Sequence, residues 1–259
     1  MTIDAVVSLP TVFISSDYNP LYRLNTLPIK AVAFDVWNTL LDIGIAFNQL
    51  AYVASTKLGI DMHSINKSII KAYNSAKRLR RYSNLDGFQI VVESQKILAN
   101  ELGIDVDTVM QIIDEAFSTV DINSLPFNDT KEILKILRRV GFKMGIIGNT
   151  LFWNSIYTRR ILKQLEILDY MDVVLFSDEL RINKPDRRIF LQFSKEIDIE
   201  PDYIAYVGDS IVEDVGGALS TGMKAIYVDR NRREKIILKD IGIAIITNLL
   251  EVVDAIDAF

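Results

Sequence analysis

The sequence contains no cysteine and a single histidine, His63. The absence of cysteine excludes disulfide bonds, zinc–thiolate sites and thiol nucleophiles. One histidine excludes His-rich metal sites and argues against a Ser-His-Asp triad. No apolar run reaches the length of about 18 residues that a membrane-spanning helix needs, so we expect no membrane partner. The chemistry left to this chain is that of carboxylates, lysines, hydroxyls and the backbone.

An excess of positive charge is also absent. The chain of 259 residues carries 29 basic and 34 acidic side chains, a net charge of −5, so we expect no nucleic-acid partner. The first residues lack a basic segment and include Asp4 and Pro10, so no signal peptide is predicted and the expected compartment is the cytoplasm. The length fits one large α/β domain or a core with a smaller second domain. Nothing in the sequence indicates an oligomeric state.

Short apolar runs recur along the chain without the alternation of a half-buried strand. They are typical of strands buried on both faces of a parallel sheet, and they cover residues 30–35, 143–147, 172–176, 204–207, 224–228 and 243–246. Segments with helical spacing separate the later runs, at residues 129–140, 151–168, 187–197 and 211–220. This alternation predicts an α/β fold with a doubly wound parallel sheet.

Residues 45–125 contain no run that resembles a strand. Four helices are predicted there, over residues 45–58, 64–82, 88–102 and 106–120. We therefore predict a core domain of residues 30–44 and 126–259, a helical cap of residues 45–125, and an N-terminal extension of residues 1–29 with a short strand at 12–15. Seven basic residues lie between Lys57 and Arg81, against Asp61 as the only acid. They form either a solvated helix face or a basic cap helix that attracts an anionic substrate.

Polar side chains follow the predicted strands at the ends that meet on one edge of a parallel sheet. They are Asp35, Asn149, Thr150, Lys184, Asp209 and Asp214. Asp35 and Asp209 supply the oxygen ligands that Mg²⁺ prefers. Asn149 and Thr150 precede a predicted helix, whose N-terminus suits a phosphate. Lys184 adds a positive charge that can neutralise either a phosphate or Asp35.

Three segments in this order resemble the motifs of the haloacid dehalogenase-like hydrolase superfamily: F-D-V-W-N-T-L, S-D-E-L-R-I-N-K-P-D and Y-V-G-D-S-I-V-E-D. The resemblance covers residues 30–230. It implies a Rossmann-like core, a helical cap and Mg²⁺-dependent phosphoryl transfer through an aspartyl-phosphate. It also implies that Asp35 is the nucleophile, that Lys184 is the lysine of the third motif, and that the Mg²⁺ site includes Asp35, Asp209, the main-chain carbonyl of Trp37 and, less directly, Asp214.

The chain departs from the pattern of the superfamily's phosphatases at two positions. Trp37 stands where these enzymes carry a second aspartate, a general acid/base of a kind that contributes about 10²–10⁴-fold to the rate. Gly148 stands where the second motif has serine or threonine, and Thr150 is the candidate to supply the missing hydroxyl.

Three functions remain open at this point. The superfamily's haloacid dehalogenases also have an aromatic residue at the position of Trp37, and their carboxylate displaces halide without a metal. However, they usually lose the acidic pair that this chain keeps as Asp209 and Asp214, and no arginine lies between Asp42 and Lys77 to bind a substrate carboxylate. We therefore favour a Mg²⁺-dependent phosphatase with a small anionic substrate, and keep a dehalogenase or a catalytically reduced binding protein as alternatives.

Overall fold

A seven-stranded sheet lies at the centre of residues 28–259, the part of the chain that the computed structural model describes. Its strands are β1 Ala31–Phe34, β2 Lys143–Gly148, β3 Val173–Phe176, β4 Ile204–Gly208, β5 Lys224–Val228, β6 Ile236–Leu238 and β7 Ile243–Ile246. The spatial order is β3-β2-β1-β4-β5-β7-β6. All neighbours pair in parallel except β6, which runs antiparallel to β7. The predicted parallel α/β sheet is confirmed, while the predicted strand at residues 12–15 lies outside the described residues.

A helical region follows β1 directly. It consists of α1 Ile43–Leu58, α2 Met62–Tyr82, α3 Gly87–Leu102 and α4 Val106–Thr119. Each helix begins after an aspartate whose side chain accepts a hydrogen bond from a first-turn N–H group, which stabilises a helix start. These bounds lie within two residues of those predicted, so the helical insertion is confirmed.

Two chain segments connect the helical region to the sheet, and they run side by side. The N–H of Asp42 donates to the carbonyl of Leu125 at 2.8 Å, and the N–H of Phe127 donates to the carbonyl of Leu40 at 3.2 Å. Helix α1 begins at Ile43, inside the segment that we assigned to the core. The division into a core of residues 30–44 and 126–259 and a cap of residues 45–125 stays a prediction.

The remaining helices cover both faces of the sheet. They are α5 Thr130–Val140, α6 Ser155–Gln164, α7 Ser177–Leu180, α8 Arg187–Ile197, α9 Gly217–Leu219 and α10 Val252–Ala258. In β1, Val32 and Phe34 face the apolar cluster that contains α5, α6 and α10, whereas Ala31 and Ala33 face the cluster that contains α8. Burial on both faces explains why the strands read as continuous apolar runs.

Strand β1 lies between β2 and β4. The chain adds β2 and β3 on one side of β1 and then β4 and β5 on the other, so the direction in which strands are added reverses here. The N–H of Asp35 donates to the carbonyl of Val207 at 2.8 Å, which keeps the ends of β1 and β4 together. A crevice forms at such a reversal, beyond the carboxyl ends of the strands. None of the helices in residues 28–259 combines the length and the apolar character that a bilayer crossing requires.

Candidate active site

Three carboxylates meet at the carboxyl ends of β1 and β4. Oxygen atoms of Asp35, Asp209 and Asp214 lie within 4.8 Å of one another. Asp35 follows β1, Asp209 follows β4, and Asp214 lies in the π-helical turns of Ile211–Gly216 that come next. These turns fold tightly onto β4, because a Cβ atom on Gly208 would lie only 2.4 Å from the Asp214 Cγ. The N–H of Ser210 donates to Asp214 Oδ2 at 2.9 Å and fixes this carboxylate.

Lys184 joins the carboxylate cluster from the segment before α8. Its Nζ donates to Asp35 Oδ1, to Asp214 Oδ1 and to the hydroxyl of Tyr206, each at 2.7 Å. All three ammonium protons therefore have an acceptor, although the side chain is only 2% exposed. Burial acts to lower the pKa of Lys184, but the charges of Asp214 and Asp35 raise it above its ordinary value. Lys184 is therefore a fixed positive charge beside Asp35.

The hydroxyl of Tyr206 completes the surroundings of Lys184. Tyr206 lies in β4 and is buried, and its hydroxyl donates to the carbonyl of Ile147 at 2.9 Å. Burial, together with the charges of Asp214 and Asp35, raises the pKa of Tyr206 well above its ordinary value, so the phenol stays neutral. Sequence analysis did not single out this residue, because a tyrosine in a buried strand has the pattern of a core residue.

Asn149 and Thr150 line the same cavity as Asp35, but their side chains bind other residues. Asn149 Oδ1 accepts from the N–H of Lys184 at 2.8 Å, and its Nδ2 donates to the Lys184 carbonyl at 3.1 Å. The Thr150 hydroxyl lies 3.1 Å from the hydroxyl of Ser177. Asn149 therefore holds the backbone that carries Lys184, and the predicted role of both residues in phosphate binding stays a prediction.

The helix predicted over residues 151–168 is shorter in the structure. Helix α6 begins only at Ser155, after a loop that ends at the capping residue Asn154. The reason is that Asp178 Oδ2 accepts hydrogen bonds from both the N–H and the hydroxyl of Ser155, at 2.8 and 2.9 Å, and fixes the helix start there. The predicted helix start at residue 151 is therefore wrong: Asn149 and Thr150 precede this helix, but residues 151–154 separate them from it.

Glycine at position 148 has a steric reason. A Cβ atom there would lie 2.6 Å from the ring of Phe176, the last residue of β3. That ring packs against the guanidinium of Arg159, 5.1 Å from the ring centroid. A serine or threonine, which the resemblance leads one to expect, does not fit beside Phe176 in this arrangement.

Two carboxylates of the cluster, Asp35 and Asp209, have raised pKa values. Burial raises the pKa of Asp35 to about 7. The charge of Lys184 acts to lower this pKa, whereas the charges of Asp214 and Asp209 act to raise it. Burial and the charge of Asp214 raise the pKa of Asp209 to about 6, although a hydrogen bond from Asn38 and the charge of Lys77 act in the opposite direction. Asn38 holds a positive φ of 62°, a conformation that asparagine tolerates better than most residues.

A cavity of about 60 Å³ lies above the carboxylates, between the sheet and the helical region. Five aromatic side chains contribute to its walls: Trp37, Phe47, Tyr73, Phe152 and Trp153. Trp37 packs edge-on against Trp153, with 5.5 Å between the ring centroids. All seven residues that we predicted for the site line this one cavity: Asp35, Trp37, Asn149, Thr150, Lys184, Asp209 and Asp214. Their individual chemical roles stay predictions.

Two arginines of α2 connect the helical region to the core through hydrogen bonds to Glu213. Arg81 donates from Nε and Nη2 to the two Glu213 oxygens, each at 2.8 Å, and Arg80 Nη2 donates to Oε1 at 3.2 Å. The Ser210 hydroxyl donates to the same carboxylate. Burial acts to raise the pKa of Glu213, but the hydrogen bonds from Arg81 and Ser210 and the charge of Arg80 hold it well below its usual range. Sequence analysis missed this contact, because its partners lie far apart in the chain.

Comparisons with curated proteins place phosphatases and a dehalogenase among the relatives. Glyceraldehyde 3-phosphate phosphatase of Methanothermobacter thermautotrophicus is 28% identical over 207 residues, which cover 80% of this chain and 88% of that protein. The (S)-2-haloacid dehalogenase 1 of Pseudomonas sp. (strain CBS-3) is 24% identical over 206 residues, 78% of this chain and 86% of that protein.

Solved structures share the fold. The HAD phosphatase from Thermococcus onnurineus is 27% identical with a TM-score of 0.60, covering 86% of this chain and 96% of that chain. The magnesium-bound HAD-hydrolase YfnB of Bacillus subtilis is 15% identical with a TM-score of 0.70, covering 88% of this chain and 98% of that chain. A sequence profile described as haloacid dehalogenase-like hydrolase matches residues 29–222. Because that match spans well over half of the chain, the protein is a hydrolase that belongs to the haloacid dehalogenase-like hydrolase family.

Proposed function

We propose that this protein is a Mg²⁺-dependent phosphatase that acts on a small phosphorylated metabolite through an aspartyl-phosphate at Asp35. The observation that carries the proposal is the group of three carboxylates, Asp35, Asp209 and Asp214, whose oxygens lie within 4.8 Å of one another. Displacement of a halide by a carboxylate needs no cation and gives no reason to gather three acids. Phosphoryl transfer uses a divalent cation to neutralise the charge of the phosphate.

The donor atoms fit Mg²⁺, which prefers oxygen ligands and binds through one or two carboxylates while it keeps several waters. Asp35 and Asp209 would supply the carboxylates, and the main-chain carbonyl of Trp37 a further oxygen. Burial and mutual repulsion raise the pKa values of Asp35 and Asp209, so a cation among them would stabilise their ionised forms. Asp214 is less free to bind, because both of its oxygens already accept hydrogen bonds, from Lys184 and Ser210. When bound, Mg²⁺ would neutralise charge on the phosphate oxygens.

The residues of the chain account for the bond-making steps. The carboxylate of Asp35 forms a bond to phosphorus while the bond from phosphorus to the leaving oxygen breaks, and water protonates that oxygen. A second water then attacks the phosphorus of the aspartyl-phosphate and loses a proton to the hydroxide that the first water left, which releases phosphate and restores the carboxylate. Lys184, 2.7 Å from Asp35 Oδ1, orients the nucleophile and offsets negative charge near the transferred group.

Trp37 determines which leaving groups are favourable. An indole cannot protonate a leaving oxygen at neutral pH, so the usual acid/base contribution of about 10²–10⁴-fold is missing. The proposed phosphatase therefore favours substrates whose leaving group needs little protonation, such as acyl or aryl phosphates.

A 2-haloacid dehalogenase is the second candidate, and Trp37 is the observation that favours it. An aromatic wall suits a carbon–halogen bond, and the chain has similarity to a 2-haloacid dehalogenase. In that reaction Asp35 would displace halide from carbon, and water would then cleave the resulting ester.

The two candidates differ in their requirement for a cation. We would measure hydrolysis of acyl phosphates, p-nitrophenyl phosphate and 2-chloropropionate, each with Mg²⁺ and with EDTA, and with Asp35→Asn as the control for contaminating activity. The proposal expects phosphate release that needs Mg²⁺ and disappears in Asp35→Asn. Chloride release in EDTA, with no phosphate release at any Mg²⁺ concentration, would instead identify a dehalogenase.

A further inference from the structure

Glu213 joins the helical region to the turn that carries the proposed metal ligands. Arg80 and Arg81 of α2 donate to its carboxylate from one side. The hydroxyl of Ser210, a residue of the core, donates to the same carboxylate. The Glu213 side chain is only 3% exposed, and it lines the cavity that contains Asp35. One buried carboxylate therefore takes part both in the contact with α2 and in the wall of the candidate site.

Ser210 connects Glu213 to two aspartates of the carboxylate cluster. It directly follows Asp209 in the chain, so a movement of Ser210 also moves Asp209. The Ser210 N–H donates to Asp214 Oδ2 at 2.9 Å, and its hydroxyl oxygen accepts from the N–H of Glu213 at 3.2 Å. The turn from Asp209 to Asp214 is thus held together at Ser210, and the positions of both aspartates depend on this residue.

Glu213 is close to the cluster but is not a member of it. Within residues 28–259 the grouped carboxylates are those of Asp35, Asp209 and Asp214. Both Glu213 oxygens already accept hydrogen bonds from Arg81. Any effect of Glu213 on a bound cation therefore passes through the residue that it holds, Ser210.

We propose that Glu213 is a positioning residue that couples the contact of α2 to the binding of Mg²⁺. When α2 is in place, Arg80 and Arg81 hold Glu213, Glu213 holds the Ser210 hydroxyl, and Ser210 fixes Asp209. When α2 moves away, Glu213 loses both guanidinium partners, and the turn that carries Asp209 is held less firmly. The part of this inference that concerns Mg²⁺ rests on the proposed function. Because coupling between two events is reciprocal, bound Mg²⁺ also stabilises the contact of α2.

A double-mutant cycle measured by calorimetric Mg²⁺ titration tests the proposal. Arg81→Gln breaks the connection at a residue that does not line the cavity, and Ser210→Ala breaks it without changing any charge. We expect Arg81→Gln to weaken Mg²⁺ binding about 10-fold, the effect of losing one hydrogen bond to a charged group. In the Ser210→Ala background, Arg81→Gln should change the affinity by less than about twofold, because uncoupled substitutions add independently. Arg78→Gln, at an exposed residue of α2, is the matched control and should have no effect in either background.

Hydrogen exchange provides a second measurement that needs no turnover. A helix end that is held to the core opens less often, so Mg²⁺ should slow the exchange of amides in the last turn of α2. The slowing should be about 10-fold in the unsubstituted protein, since the coupling is reciprocal, and it should be absent in Ser210→Ala. Far-ultraviolet circular dichroism verifies that each variant is folded. Equal slowing in both proteins would contradict a connection through Ser210.

The outcomes separate this inference from the proposed function. Unchanged Mg²⁺ affinity in Arg81→Gln overturns the inference and leaves the proposed phosphatase intact. An effect of Arg81→Gln that persists in Ser210→Ala also overturns it, because the influence of α2 then bypasses Ser210. Tighter binding in Arg81→Gln overturns it as well, since the charge of Lys77, which acts to lower the pKa of Asp209, would then be the stronger influence of α2.

Two further outcomes concern the metal itself. Coupling of Arg81 to Mg²⁺ through Ser210 in a protein without phosphatase activity supports the inference, while the proposed function fails. No Mg²⁺ binding to the unsubstituted protein overturns both.

Discussion

The ammonium of Lys184 and the hydroxyl of Tyr206 are joined by a hydrogen bond of 2.7 Å inside the core, where the same ammonium also holds Asp35. The Tyr206 hydroxyl accepts this hydrogen bond from Lys184 and donates one to the carbonyl of Ile147. Tyr206, inside the sheet, thus fixes the position of the Lys184 ammonium, and that ammonium in turn orients the carboxylate of Asp35. Tyr206 is a positioning residue, since it acts through Lys184.

Replacing Tyr206 by phenylalanine should reduce kcat about 10-fold, because the Lys184 ammonium loses one of its three acceptors and no longer holds Asp35 in one direction. KM should change much less, because Tyr206 does not line the cavity. The measurement is steady-state kinetics with an aryl phosphate. Tyr203→Phe, at a tyrosine that is 40% exposed, is the matched control and should match the unsubstituted protein. A loss of folding stability with unchanged kcat would contradict the positioning role.

Asp209 and Asp214 should differ in their effect on Mg²⁺ binding. Asp209→Ala should abolish binding, because it removes one of the two carboxylates that we propose as ligands of the cation. Asp214→Ala should only weaken it, because both Asp214 oxygens already accept hydrogen bonds. Calorimetric Mg²⁺ titration of the two variants makes the comparison, and unchanged affinity in Asp209→Ala would remove this residue from the metal site.

Trp37→Asp should raise the rate on alkyl phosphates about 10-fold or more, because a carboxyl at this position can protonate a leaving alkoxide. The gain should be smaller for aryl phosphates, which leave readily without a proton. Trp37→Phe opens space and adds no acid, so it controls for the loss of the indole. If both variants raise the rate on alkyl phosphates equally, the missing acid is not the reason for slow hydrolysis.

Glu213→Gln should lower the free energy of unfolding by about 3 kcal/mol at pH 7, because the buried guanidinium of Arg80 loses its charged partner and the partly exposed Arg81 loses its paired hydrogen bonds. Glu179→Gln is the matched control. Its pair with Arg159 is 34% and 37% exposed, and its loss should cost about 1 kcal/mol or less. Equilibrium denaturation measures both, and equal effects would show that the contact at Glu213 does not close the cap onto the core.

The effect of Glu213 should also depend on pH. Its pKa is lower in the folded protein than the ordinary value of about 4.3, so its stabilising effect is fully present above that value. The effect decreases as the pH falls from there through the folded pKa. The difference in unfolding free energy between the unsubstituted protein and Glu213→Gln should therefore be constant near neutral pH and shrink in acid.

The sheet and the predicted site residues could be read from the sequence, because both depend on local patterns. Buried parallel strands give short apolar runs, and the polar residues that follow them must meet at one edge. Asp35, Lys184 and Asp209 were found in this way. Strand β6 was not predicted, since three residues beside a turn carry no periodicity.

The contacts made by Tyr206, Glu213 and Arg80 could not be predicted from such patterns. Arg80 and Glu213 lie 133 residues apart, and their pairing depends on how α2 packs over the core. The start of α6 was also misplaced, because a side chain from another segment, Asp178, fixes it. The Arg80–Glu213 pair and the start of α6 depend on tertiary contacts, which cannot be predicted from the spacing or the type of the residues.

The most direct test of the account is whether Asp35 becomes phosphorylated. The protein would be mixed with p-nitrophenyl phosphate and Mg²⁺, quenched in acid within one turnover, and digested for mass spectrometry. We expect the peptide that contains Asp35 to gain the mass of one phosphoryl group, and the gain to be absent in EDTA and in Asp35→Asn. Phosphate release with no label on Asp35 at any quench time would contradict the nucleophilic role of this residue.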